Sequence, residues 1–254
     1  MPRLKLTIAY RGAGFAGWQV QACRLPTVQG ELERAAERIL GMHVHIQGAG
    51  RTDAGVHAEG QVAHMDIPDL PREIRWQRAF RSLLPPDIAV LAVEEVHPSF
   101  HAQHSALAKQ YVYAVWKTRD YAPPRLADYV WELGGMDEAR MEKAAAHLVG
   151  VHDFSSFRNA GADMKSDAIR TIHAIRRRPV NGLLTLWHFQ GNGFLKQMAR
   201  NMMGLLAYAG LEKIAPEEVP AILAARNRAA LPSPTAPARG LTLTGVIYPK
   251  FPPI

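Results

Sequence analysis

Residues 48–58 read Gly-Ala-Gly-Arg-Thr-Asp-Ala-Gly-Val-His-Ala, with one guanidinium and one carboxylate, Arg51 and Asp53, set among three glycines. The segment is too polar and too rich in glycine for the interior of a helix or strand, so it reads as a loop. Glycine lets the backbone turn tightly and lets another molecule come close. A carboxylate held beside a guanidinium stays ionised, because the positive neighbour favours the charged form where burial opposes it. Those properties suit a nucleophile or a base facing a substrate. A surface loop with an ordinary Arg–Asp pair has the same residue types, and spacing alone leaves both readings open.

Other segments offer chemistry of different kinds. Lys109-Gln110-Tyr111-Val112-Tyr113 puts two tyrosines on one face of a strand. Tyr111, near the strand's start, suits stacking on a flipped base, and the pair equally suits a core. Arg200 falls inside an apolar helical pattern, at an angle well away from the Met198–Met202–Leu205 face. It either meets solvent or reaches a cleft and pairs with Asp53. Arg72, Arg75, Arg78 and Arg81 step along one helix, and Arg176-Arg177-Arg178 lie on a strand. Each row fits a phosphate track or a solvated face.

Three further motifs are weak. His43 and His45 share a strand face, but no Asp, Glu or Cys completes a metal set, and His57 and His152 lack a metal-spaced partner. No metal is expected. Ser155-Ser156 lacks the Gly-x-Ser-x-Gly turn of a hydrolase. Gly12-x-Gly14-x-x-Gly17 follows a strand, yet Trp18 to Gln21 intervene before any helix. That excludes a dinucleotide fingerprint and leaves a loop presenting Trp18 and Gln19 near the site.

The chain has 254 residues, 48% of them hydrophobic, enough to bury a sizeable core. Its formal net charge is +7, and only eight of its thirty basic residues are lysine. Arginine's planar fork pairs with phosphate and stacks on bases, so the excess suggests a polyanionic partner or a solvated basic surface. Cys23 stands alone, which excludes an intramolecular disulfide and a Cys-based zinc site and leaves a small packing residue or a thiol. No apolar run reaches bilayer length and the start is not signal-like, so a soluble cytoplasmic protein is expected.

Two sets of elements must position these residues. Leu4, Leu6, Ile8 and Tyr10 alternate as a strand; Thr27 caps a helix that Gly41 ends; His43 to Gln47 alternates again. Ala63, Met65 and Ile67 mark a strand, Pro71 opens a helix burying Trp76, Phe80, Leu83 and Leu84, and Ile88 to Val96 is a further strand. The order is βαββαβ, as in ferredoxin-like units. The second half repeats it: a strand from Tyr111 to Trp116, a helix capped by Asp137, and a hairpin of Thr171–Arg178 with Leu183–Phe189 turning at Asn181-Gly182. A helix from Leu195 to Ala209, a short one near Glu217 to Ala225 and a strand from Leu241 to Ile247 complete it. Pro232 to Pro237 reads as an extended loop. The expected fold is α+β, two ferredoxin-like or RRM-like βαββαβ halves, residues 1–103 and 104–254, joined into a mixed, mainly antiparallel sheet with a central cleft.

Together these residues resemble the bacterial tRNA pseudouridine synthase A family. The resemblance runs nearly the length of the chain, through Gly17-Trp18-Gln19, Gly50 to Ala58 with Gly60-Gln61-Val62, the Lys-x-Tyr of Lys109 to Tyr111, Asp153 to Arg158, Arg200-Asn201 and Pro234 to Leu241. Two stretches depart from it. Leu195-Lys196-Gln197-Met198 lacks the histidines common before that methionine, and 160–166 is idiosyncratic. The resemblance implies isomerisation of uridine to pseudouridine in the tRNA anticodon stem-loop, at positions 38, 39 and/or 40, by a homodimer with neither cofactor nor metal. It implies Asp53 as the catalytic nucleophile, Tyr111 stacking on the target base, Arg200 holding Asp53 ionised, and Arg51 displacing the base and taking its place in the stem. The rival reading is a non-catalytic RNA-binding module with strand aromatics as its contacts. Asp53 discriminates, since a carboxylate hinders phosphate binding and serves catalysis.

Overall fold

The structure, a computed structural model, describes residues 1–21, 25–70, 73–159 and 167–252. Cys23, Pro71, Arg72 and the idiosyncratic stretch 160–166 lie outside them. The chain divides into two compact units, Met1–Leu107 with Leu243–Ile254, and Ala108–Thr242. Elements in the first half are β1 (Arg3–Tyr10), α1 (Val28–Leu40), β2 (Gln47–Gly48), β3 (His57–Asp66), α2 (Trp76–Leu83) and β4 (Ile88–Val96). Then come β5 (Ala108–Trp116), α3 (Pro124–Ala127), β6 (Trp131–Glu132), α4 (Glu138–Ala146), β7 (Gly150–Asp153), β8 (Ile169–Pro179), β9 (Leu184–Gly191), α5 (Met198–Gly210), α6 (Val219–Ala224) and β10 (Leu241–Ile247). This is the α+β class expected.

In the first unit the strand order is β4-β1-β3, with the Leu243–Ile247 part of β10 beside β3 and the short β2 also on β3. The pairs β1–β3, β1–β4 and β2–β3 are antiparallel, so the order is that of a ferredoxin-like βαββαβ unit. Strict alternation in β1 buries Leu4, Leu6, Ile8 and Tyr10. Helix α1 buries Val28, Leu32, Ala35 and Ala36. Its ends are as the residues dictate: the Thr27 hydroxyl accepts from Gly30 N–H at 3.2 Å, and Gly41 closes it in the left-handed region at φ 72. A second cluster, Ala49, Val62, Phe100 and Ala102, is packed by Val246, Tyr248 and Phe251, so the chain's last strand and the residues after it complete this unit.

The second unit has the order β5-β9-β8-β7, each neighbour antiparallel, with β6 parallel to β5. Tyr111, Tyr113 and Val115 of β5 are buried with Thr185, Trp187 and Phe189 of β9. Helix α5 is buried everywhere except Arg200 and Tyr208. That corrects the expectation of a single apolar face.

Other details differ from expectation. The alternation at His43 to Gln47 yields only the two residues of β2. Helix α2 buries Phe80, while Trp76, Leu83 and Leu84 remain partly exposed. Helix α5 starts at Met198, three residues late, because Gln197 sits at φ 62 and a left-handed residue cannot continue a right-handed helix. Among the described residues no helix is long and apolar enough to cross a membrane.

Candidate functional site

In the first unit the Asp53 loop connects β2 to β3 and is tied down by its own backbone. Ala49 N–H donates to Val62 O at 2.7 Å, and Gln61 Nε2 donates to Gly50 O at 2.9 Å. Trp18 N–H donates to Thr52 O and Val56 N–H to Asp53 O, both at 3.1 Å. The peptide group before Arg51 and those on both sides of Asp53 therefore have fixed directions. Below them the Thr52 and Tyr10 hydroxyls meet at 2.8 Å in a buried pair. Burial pushes the Tyr10 phenol up to about 12, against the opposing hydrogen bonds with Thr52 and Gln61, so it stays neutral as a fixed polar anchor.

Glycines let the preceding loop press on this one. A Cβ on Gly17, which sits at φ +97, would lie 2.6 Å from Thr52 O, and a Cβ on Gly12 only 2.0 Å from Val56 O. The first glycine-rich segment is thus a buttress for the second, consistent with its exclusion as a dinucleotide site. Trp18 is almost fully buried against Tyr10, with ring centroids 6.2 Å apart, so it supports the loop and does not present itself to a ligand. Gln19 does reach the loop: its Oε1 accepts from Arg51 Nε at 3.2 Å. Asp53 itself is half-buried while Arg51 is exposed. His57 is buried and its Nδ1 accepts from Gly12 N–H at 3.1 Å, a structural role.

In the second unit Tyr111 stands on β5 opposite Phe189 of β9 and meets Phe194 edge-on, ring centroids 5.0 Å apart at 77°. Tyr113 is buried on the same face. Its hydroxyl donates to Pro237 O at 2.7 Å, so both tyrosines of the pattern are buried and Tyr113 is the more completely enclosed. Burial raises the Tyr113 phenol, and the nearby Arg200 and Arg239 charges oppose that shift.

Arg200 projects from α5 with its Nε donating to Ala236 O at 2.8 Å, while Ala236 N–H donates back to Arg200 O at 3.2 Å. The next residue is fixed from the same side: Thr235 Oγ1 donates to Asn201 Oδ1 at 2.7 Å, and Asn201 Nδ2 donates to Phe157 O at 2.8 Å. A Cβ on Gly204 would lie 2.2 Å from Pro234 O, so the helix and the 232–238 loop touch backbone to backbone. Its residue types mark that loop only as an extended connection. Its backbone carbonyls and amide in fact orient Arg200 and Tyr113. The one signal for this in the sequence is that Arg200-Asn201 and Pro234 to Pro237 both belong to the family pattern.

Ser155-Ser156 resolves as structural at Ser156. Ser156 is buried, donates from Oγ to Ile222 O at 2.7 Å and accepts from Asn227 N–H at 3.0 Å, so it is a bracket between segments. Among the described residues no group of three or more His, Cys, Asp or Glu side chains could hold a metal ion.

Comparison with known proteins agrees with these motifs. The family model for tRNA pseudouridine synthase matches residues 144–249. A tRNA pseudouridine synthase A of Nitratidesulfovibrio vulgaris (strain DSM 19637 / Miyazaki F) is 49% identical over 98% of this chain and 100% of its own length. One of Oleidesulfovibrio alaskensis is 48% identical over 98% of this chain and 97% of its own. A chain of a solved Cbf5-Nop10-Gar1 complex aligns at 12% identity over 80% of this chain and 44% of that one, with a TM-score of 0.37, and adds nothing to the assignment. On near-full-length identity of this size, the chain belongs to the tRNA pseudouridine synthase A family.

Proposed function

We propose that this protein isomerises uridine to pseudouridine in the anticodon stem-loop of tRNA, at positions 38, 39 and/or 40, with Asp53 as its catalytic nucleophile. The observation that carries the reading is the Asp53 loop: a half-buried carboxylate on backbone fixed by four hydrogen bonds and two glycine close approaches. Catalytic groups need that kind of preorganisation.

The chemistry asks for one such group. The C1′–N1 glycosidic bond breaks, the uracil turns, C5 joins C1′, the C5 proton leaves and N1 gains one. The product is an isomer, so no electrons change hands with a carrier. A fixed carboxylate serves either by attacking C1′ or by assisting proton removal there, and then departs. Tyr111 is the stacking surface for the target base, Arg200 the fixed positive charge that keeps the carboxylate ionised, and Arg51 the group that displaces the base and fills its place. The exposure of Arg51, against the tethering of Arg200 and the burial of Tyr111, supports a mobile role for the first and static roles for the other two. The protein acts as a cytoplasmic homodimer in this reading.

Incubating the protein with unmodified tRNA, with and without a chelator, and mapping pseudouridine in the product tests the reading. Modification confined to positions 38–40 and indifferent to chelator is expected. Bound but unmodified tRNA returns the chain to the RNA-binding alternative, and chelator-sensitive cleavage would make it a metal-dependent RNA hydrolase instead. For Arg200, methionine in its place moves the pH–rate profile toward alkaline pH; a parental profile at parental activity contradicts the electrostatic role.

A further inference from the structure

Lys109 belongs to the Lys-x-Tyr motif, and neither the chemistry nor the core employs it. Alternation along β5 puts Lys109 on the same face as Tyr111. Across the sheet Lys109 pairs with Gly191 of β9, and Gly191 pairs in turn with Ile172 of β8. Residues paired laterally point to the same side, and the middle one here has no side chain. Arg170, two residues before Ile172 on β8, therefore shares that side with Lys109. Gly191 itself is closed over, since a Cβ there would lie 2.9 Å from Thr171 O and from Ile172 Cδ1 and 3.4 Å from Phe194 Cζ, so any ligand of the two cations sits over their outer ends.

Arg170 Nη1 donates to the carbonyls of Asp167 and Ile169, at 2.9 and 2.6 Å, which fixes its position without neutralising it. Among the described residues neither Lys109 nor Arg170 has a carboxylate ion pair. Holding a half-buried ammonium near a guanidinium with no counter-charge is unfavourable, so the pair is poised for an anion that arrives from outside. Burial first, and the Arg170 charge second, push the Lys109 ammonium down to about 8. Tyr111 shares the face of Lys109 on β5, and among the described residues Arg170 on β8 is the charge that acts on it. Next to a ring that stacks a nucleobase, the anion within reach is a nucleotide's own phosphate.

We propose that Lys109 and Arg170 form a seat for the backbone phosphodiester of the nucleotide whose base stacks on Tyr111. Lys109 is then a positioning residue for the RNA and takes no part in bond making. The inference rests on the proposed tRNA-modifying function, and a binding measurement separates the two.

The test uses full-length protein with Lys109→Arg and Lys109→Met, read by steady-state modification and by filter binding of tRNA between about pH 6.5 and 9. In the parent, KM and Kd rise as pH passes about 8 and the ammonium loses its proton, while kcat holds. Lys109→Arg, which stays charged, keeps the low-pH values throughout. Lys109→Met raises KM and Kd about tenfold at pH 6.5, the order expected for one charge-assisted contact, and is flat with pH. Its salt slope falls by about one. A Lys109→Met variant with parental Kd, or identical pH dependence in the parent and Lys109→Arg, overturns the proposal, as does a loss confined to kcat. If Lys109→Met does not fold, the Lys109→Arg comparison decides alone. A parent that binds tRNA with this pH dependence but forms no pseudouridine overturns the function and leaves the phosphate seat standing.

Discussion

Asp53 and Arg200 are held by opposite means. The carboxylate sits on a loop whose peptide groups are tied to neighbouring backbone and whose packing depends on glycines at 12 and 17. The guanidinium sits on a buried helix and donates to the Ala236 carbonyl of a Pro-rich loop, whose Thr235 hydroxyl donates to the neighbouring Asn201 side chain. In the first region what is absent, a Cβ, does the positioning. In the second most of the positioning comes from polar groups that are present, with one glycine approach, Gly204 against Pro234 O. Substitutions that add atoms should therefore damage the first region most, and substitutions that remove them the second.

The largest effect is expected at Gly12. An alanine there puts its methyl 2.0 Å from Val56 O, and backbone cannot yield as a side-chain tip can. We expect a loss of about 3 kcal/mol or more in chemical denaturation, with activity lost too. The same change at Gly14, where nothing lies within 4 Å of the added atom, should stay within about 0.5 kcal/mol. Equal costs at the two positions contradict the buttress. In the second region Asn201→Ala removes the Thr235 and Phe157 bonds at once and should cost about 2 kcal/mol, leaving a buried carbonyl unpaired. A cost no greater than that of an exposed control would break the comparison.

A pH experiment sharpens it further. Burial first, and Arg3 second, push the His64 imidazole down to about 4, and its Nδ1 accepts from Ala102 N–H at 3.2 Å. The unfolded chain, near the ordinary histidine value, binds the proton more readily. Stability is therefore lost as pH falls from about 6.5 to about 4, at no more than about 1.4 kcal/mol per pH unit. His64→Gln should flatten that part of the stability curve, and an unchanged curve rules the group out as its source. The smallest effect belongs to α2. Arg75, Arg78 and Arg81 are exposed, and among the described residues none is in an ion pair. Neutralising all three should leave stability within about 0.5 kcal/mol and reduce the salt slope of tRNA binding by about one for each phosphate that these arginines neutralise. An unchanged slope makes the row a solvated face.

Much of the fold is legible from residue types. Strands β4 and β10 run from Ile88 to Val96 and from Leu241 to Ile247, as the apolar pattern implies, and Thr27, Gly41 and Asp137 mark helix ends where side-chain or glycine chemistry demands. The illegible part depends on the backbone. Strand β7, Gly-Val-His-Asp, has no apolar alternation and exists through its pairing with β8. His43 to Ile46 alternate without forming a strand. The service of Ala236 and Pro237 to Arg200 and Tyr113 comes from main-chain carbonyls, which every residue carries and no residue type announces. Asp53 is conspicuous for the contrary reason: its glycine neighbours are a statement about backbone written in residue types.

In the proposed mechanism the Asp53 carboxylate does chemistry that the rest of the molecule cannot replace. Asp53→Asn keeps the size and the hydrogen-bonding capacity of the side chain and removes its charge. Folding and tRNA affinity should persist, and filter binding alongside thermal denaturation would show both. Pseudouridine mapped in the product tRNA should fall by at least about a thousandfold, as expected when a positioned nucleophile or base is lost. Pseudouridine formed at the parent's rate by Asp53→Asn would contradict that mechanism and leave an RNA-binding protein whose most tightly built loop serves some other purpose.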